Sequence, residues 1–138
     1  MKSVITTIKF LIASFLIGGM QPVHASELLL FSDDTFLGCL SCSKYDSNSI
    51  CNPYGSYGSK YSGSSIWNPY GSFGNPYSAN SPWNRYSTSS PSIVDRSGNF
   101  YGRFSINIYS GFSNSSNLLE YYNAVDGDLE RVQEGFCQ

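Results

Sequence analysis

Between residues 42 and 89 the apolar and polar positions repeat with a period of sixteen residues and no gaps, in three copies that begin at Cys42, Gly58 and Gly74. Aromatic or sulfur-bearing residues recur at Tyr45, Tyr61 and Tyr77, at Cys51, Trp67 and Trp83, and at Tyr54, Tyr70 and Tyr86. Polar residues recur at Ser49, Ser65 and Ser81 and at Asn52, Asn68 and Asn84. A repeat this strict predicts one local structure used three times, with the copies stacked because none can bury its rings alone. Pro53, Pro69, Pro76 and Pro82 exclude a long helix, and the frequent Gly and Ser argue against a long strand. Each copy is expected to form a short helical turn, a bend and an extended piece. Asp46, Ser62 and Ser78 would be the N-caps of the helical turns. The Cys51/Trp67/Trp83 position should face inward, because a disulfide sulfur and an indole are both buried by preference. The three Asn residues either form a side-chain ladder along the stack or shape turns within each copy.

Outside the repeat the period changes. The apolar run from Leu28 to Phe31 is short enough to be a buried strand, but its length leaves the assignment open. Residues 93–108 read as a β-hairpin turning at Gly98-Asn99. In its second strand Phe100, Gly102, Phe104, Ile106 and Ile108 would alternate inward against Tyr101, Arg103, Ser105 and Asn107. Leu118, Tyr121, Tyr122 and Val125 have helical spacing, and Asp126 or Asp128 would cap a last short helix from Leu129 to Glu134, ended by Gly135. The predicted fold is a small α+β domain, residues 26–138. It combines an irregular stack of three turn repeats with a β-hairpin and one or two short helices over 118–135, all stapled by disulfides.

The N-terminus changes where that domain works. Lys2 and Lys9 followed by an apolar run from Phe10 to Met20 and a Val23-His24-Ala25 cleavage motif predict a signal peptide over residues 1–25. The run is shorter than the about 20 residues a membrane span needs. Asp33 and Asp34 separate Cys39 from it, which disfavours a lipid anchor. After cleavage six basic and ten acidic residues remain. With no basic patch, nucleic acid is excluded as a partner, and no membrane association is expected. All four cysteines, Cys39, Cys42, Cys51 and Cys137, lie in the exported part and predict two disulfides. The expected pairs are Cys42–Cys51, closing the first copy, and Cys39–Cys137, joining the ends. The Cys39-Leu-Ser-Cys42 spacing would also suit zinc, but no second close pair completes a ribbon. A thioredoxin-type redox pair is the remaining reading, and no βαβ pattern surrounds it.

The candidate chemistry is then narrow. His24 is the only histidine and leaves with the leader, which removes imidazole catalysis and His-ligated metals. No metal, cofactor or catalytic constellation is recognisable. Asp33, Asp34, Asp46, Asp95, Glu120, Asp126 and Asp128 are carboxylates that a glycosidase would use in a pair, but no spacing singles out two of them. Residues 95–99 and 126–128 also resemble fragments of calcium loops without the full twelve-residue pattern. The positive feature is aromatic density. Tyr54, Tyr70 and Tyr86, with Asn52, Asn68 and Asn84, form candidate binding rows suited to sugars or a protein. The competing reading is that these rings are the core.

Residues 37–42 (Leu-Gly-Cys-Leu-Ser-Cys), 65–71 (Ser-Ile-Trp-Asn-Pro-Tyr-Gly) and 93–102 together resemble a group of small exported bacterial proteins of unknown function. The resemblance covers most of the mature chain. It implies a bacterial, extracytoplasmic protein, periplasmic or secreted, and supplies neither an activity nor site residues. The expectation is a non-enzymatic binding or accessory module of the envelope or exterior, with an envelope glycan or protein as partner. A small carboxylate-dependent hydrolase acting on glycans, and a purely structural domain, are the alternatives.

Overall fold

A computed structural model describes residues 26–138, so the expected signal peptide lies outside the described residues. The apolar run at the domain's start forms strand β1 (Leu29–Ser32), which turns through Asp33, in a left-handed conformation at φ 51°, into β2 (Thr35–Cys39). The second strand was not foreseen; Phe36-Leu37 is too short an apolar pair to announce it. β3 (Ser92–Val94) and β4 (Phe100–Arg103) form the expected hairpin. All four strands join one antiparallel sheet in the order β2-β1-β3-β4. Helices α1 (Ser115–Ala124) and α2 (Leu129–Phe136) complete the small α+β fold. Asp128 caps α2, its side chain accepting from the N–H groups of Glu130 and Arg131. Gly135 does not end that helix. It lies within its last turn, where the ring of Tyr121 of α1 packs against it.

The repeat is neither helical nor extended. Backbone N–H groups donate to carbonyls three residues back at Ser43, Asp46, Ser49 and Asn52, and the same ladder restarts from Ser59 and from Asn75. Between copies the step lengthens to four residues, Ser59 donating to Gly55 and Asn75 to Gly71. Four steps of three and one of four make the sixteen-residue period. The expected helical turns fail because almost every third residue is Ser, Asn or Asp, whose side chain accepts from the N–H two positions on and so stabilises a turn instead of a continuing helix. Ser62 caps Ser64, Ser65 caps Trp67 and Asn68 caps Tyr70 in this way. Each Asn also donates its amide within its own copy, to the carbonyls of Asp46, Ser62 and Ser78, so the three Asn shape turns and form no ladder along the stack.

The copies are joined through the inward slot. Trp67 and Trp83 are each 1% exposed. The indole N–H of Trp67 donates to the carbonyl of Ile50, one copy earlier, and that of Trp83 donates to Ile66, both at 2.6 Å. Their ring centroids lie 5.3 Å apart, so the two indoles pack directly on each other from one copy to the next. Ile50, Ile66, Leu30, Leu37, Ile93 and Val132 complete a core shared by stack, sheet and helices.

Two expectations are corrected at the ends of the stack. The hairpin's second strand stops at Arg103: Phe104, Ser105 and Ile106 are all buried, while Phe100 and Ile108 are exposed, so the alternation fails. Residues 105–110 form a degenerate fourth layer instead. Ile106 donates its N–H to the carbonyl of Pro82, Ser105 caps Asn107, and Asn107 caps Tyr109. This layer reads Ser-Ile-Asn-Ile-Tyr and lacks the tryptophan. Tyr122 of α1 takes the vacated place, stacked on Trp83 at 5.8 Å with the rings 4° from parallel. The disulfides are Cys39–Cys42 and Cys51–Cys137, not the expected pairs. Cys51 occupies the tryptophan slot of the first copy, and the C-terminus of α2 reaches that slot. Cys39 ends β2, and the Cys42 Cα lies 5.6 Å away, within ordinary disulfide reach.

Candidate functional site

The tyrosines expected to bind do not form the core. Tyr54 is 97% exposed, Tyr70 94% and Tyr86 84%. Each follows an Asn that accepts its N–H at 3.0 to 3.1 Å, so the turn fixes where the ring leaves the backbone. Tyr109 of the fourth layer, which the sequence reading placed beyond its hairpin, extends the row; the one-residue-short Ser105-Ile106-Asn107-Ile108-Tyr109 motif was the signal for it. Tyr45, Tyr61 and Tyr77, also strongly exposed, form a second row. Lys44 and Lys60 place their ammonium groups 5.4 Å from the ring centres of Tyr45 and Tyr61.

The rows meet at the third copy. Tyr77 of one and Tyr86 of the other line a cleft of about 220 Å³ with Pro76, Trp83, Asn84, Arg85 and Tyr122. Arg85 donates to Asn123 at 3.3 Å and pairs with no carboxylate among the described residues. Burial pushes the Tyr122 hydroxyl above its ordinary pKa, against the opposing pull of Arg85. Of the six residues expected to bind, the structure brings Asn84 and Tyr86 into this cleft. The other four sit at the equivalent positions of the earlier layers. The Asn side chains hold backbone with both ends, so their role on this surface is to position the tyrosines.

Three of the seven candidate carboxylates are engaged in turns and a cap. Asp95 is buried and accepts from the N–H groups of Ser97 and Asn99, the Asn99 amide and the Tyr101 hydroxyl at 2.7 to 3.0 Å. Those bonds, the Asn99 and Tyr101 side chains first, hold its carboxyl down at about 2. Asp46 accepts from Asn48 and Asp128 caps α2. Glu130 and Glu134, neither of them foreseen, line one cleft together, and Glu130 is paired with Lys60 at 3.1 Å. Glu27, Cys39 and Cys42 come close enough to hold a metal, but both sulfurs are in a disulfide. Among the described residues no helix is long and apolar enough to cross a membrane. Compared with protein-family profiles, curated proteins and solved structures, the chain matches none.

Proposed function

We propose that this protein is an exported, non-enzymatic binding module of the bacterial envelope or exterior, and that it holds a glycan along its tyrosine rows. The observation that carries this reading is the regular exposure of Tyr54, Tyr70, Tyr86 and Tyr109, one ring per layer, on a backbone whose turns are internally satisfied. Single exposed aromatics are ordinary, but a contiguous exposed aromatic patch marks an interaction surface. A tyrosine ring offers an apolar face and a hydrogen-bonding tip, which suits the C–H faces and hydroxyls of sugars. The sixteen-residue period repeats that offer once per layer, as recognition of a polymer requires. Two disulfides suit an oxidising compartment. The carboxylates of Asp95, Asp46 and Asp128 serve turns and a cap, which favours binding over hydrolysis.

The test is a triple variant, Tyr54→Ala, Tyr70→Ala and Tyr86→Ala, assayed on immobilised cell-wall glycans. The variant is expected to keep its melting temperature and lose retention on the matrix. Unchanged retention, or capture only by a defined envelope protein, would overturn the glycan reading.

A further inference from the structure

The positions that line the third-copy cleft recur in every copy, and in the first two copies the chain itself brings a carboxylate to them. In the first copy Lys44, Cys51 and Pro53 line a cleft together with Glu130, Gln133 and Glu134 of α2. In the second, Lys60 sits beside the Tyr61 ring and holds the Glu130 carboxylate at 3.1 Å. The third copy presents Pro76, Trp83 and Arg85 at the positions of Lys44, Cys51 and Pro53. There the cation has moved from the first of these positions to the last, and no carboxylate lines the cleft. These positions thus show, within one molecule, how a carboxylate is accepted: on a cation flanked by tyrosine. In the third copy the cation is Arg85, exposed beside Tyr77 and Tyr86 in a cleft that no carboxylate lines.

We propose that this cleft takes a carboxylate-bearing sugar residue of a glycan, with the carboxylate on Arg85 and the sugar ring against Tyr77 and Tyr86. The proposal rests on the glycan reading above and names its charge class. The planar guanidinium matches a carboxylate with two parallel N–H donors. A cleft of about 220 Å³ is smaller than pockets that enclose drug-sized ligands, which begin near 300 Å³, so it receives one residue of a chain that continues along the rows. An acidic peptide is disfavoured because peptide capture along a fold of this kind uses free backbone donors. Here the N–H groups of Tyr77, Trp83 and Tyr86 are held by Asn75, Ser81 and Asn84.

The test is titration calorimetry of the purified protein with oligomers of galacturonate and mannuronate, the same oligomers after carboxyl reduction, and poly-glutamate. The uronate oligomers are expected to bind, more weakly as salt rises. Arg85→Gln should weaken them about tenfold with an unchanged melting temperature, the loss expected for one charge-assisted contact. Arg96→Gln, a change at a cation already paired with Glu27, should leave binding as it was. Carboxyl-reduced oligomers binding as tightly as uronates, or an Arg85→Gln variant binding like the parent, would overturn the proposal and leave the tyrosine reading standing. Poly-glutamate binding as tightly as the uronates would overturn the sugar assignment. Binding of neither oligomer series would overturn the uronate proposal, while the glycan reading stands or falls on the triple tyrosine variant.

Discussion

Trp67 and Trp83 fill equivalent slots, yet their indole N–H groups are not equally replaceable. The Ile50 carbonyl accepts from Trp67 and also from the Gln133 amide at 3.1 Å, whereas the Ile66 carbonyl accepts from Trp83 alone. Trp83→Phe therefore strands a buried acceptor, at a cost of about 1–3 kcal/mol, and Trp67→Phe does not. Urea denaturation should show Trp83→Phe the more destabilised of the two; equal losses would contradict this role for the indole bonds. Asp95 supplies a second test at this scale. Its native carboxyl ionises at about 2, below the ordinary 3.8, because Asn99 and Tyr101 donate to the anion. The unfolded chain takes up a proton before the folded one does, so the contribution of Asp95 is complete above about pH 4 and drains away as the pH falls toward 2. The partner Tyr101 is shifted upward by the same bond. Asp95→Asn should be less stable than the parent at pH 7, and its melting temperature should fall less between pH 4 and 2. An acid profile parallel to the parent's would refute the assignment.

The element that defines the molecule is the turn layer, and its tightest point is where one copy passes to the next. A Cβ at Gly58 would collide with the backbone of Asn52, and one at Gly74 with the backbone of Asn68. Backbone atoms bonded into the next turn cannot give way as a flexible side chain would. Gly58→Ala and Gly74→Ala should each destabilise by more than about 2 kcal/mol, as overpacking does. Gly63 lies in the same repeat with open space around its Cβ position, so Gly63→Ala should be neutral or stabilising by up to about 1 kcal/mol. Thermal melts of the three variants decide the matter, and similar effects at all three sites would remove the close approach as the reason for glycine. The period, the inward slot and the outline of the helices were legible in the sequence, because each rests on spacing along the chain. The turn ladder was misread because Ser and Asn signal an N-cap and a turn alike, and only the next three residues' bonds tell them apart. The fourth layer was hidden by the loss of its tryptophan. Without that residue, Phe104, Ile106 and Ile108 mimic a strand's alternation, and Tyr122, the ring that completes the column, comes from a distant helix. The third-copy cleft was half visible. Tyr86 and Asn84 belong to the repeat, but Arg85 reads as a departure from the Asn-Pro-Tyr pattern until the cleft is seen.

At the scale of the whole molecule the question is what holds a four-strand sheet, a stack of turns and two helices as one body. Few direct contacts join sheet to helices, and both lean on the stack. The chain's C-terminus is fastened to the first layer by Cys51–Cys137, which closes a loop with a sequence separation of 86, whereas Cys39–Cys42 closes one of 3. If disulfides stabilise mainly by restricting the unfolded chain, the long loop contributes about 4 to 5 kcal/mol and the short one roughly 2. The difference grows when packing is considered. Without Cys51–Cys137 the end of α2 is released, and with it the contacts of Gln133 to the Ile50 and Gly58 carbonyls and of Phe136 to Trp67 and Phe104. Small domains hold only about 5 to 15 kcal/mol in total. The double variant Cys51→Ala/Cys137→Ala should therefore lose cooperative unfolding or melt near ambient temperature. Cys39→Ala/Cys42→Ala should remain folded with a lowered midpoint, since β2 keeps its backbone pairing with β1 and the Cys39 bonds to Asn48 and Ile50. Differential scanning calorimetry of both variants would test this, and a larger loss from the short-loop pair than from the long-loop pair would place the fold's weakest joint at the sheet instead of at the helices.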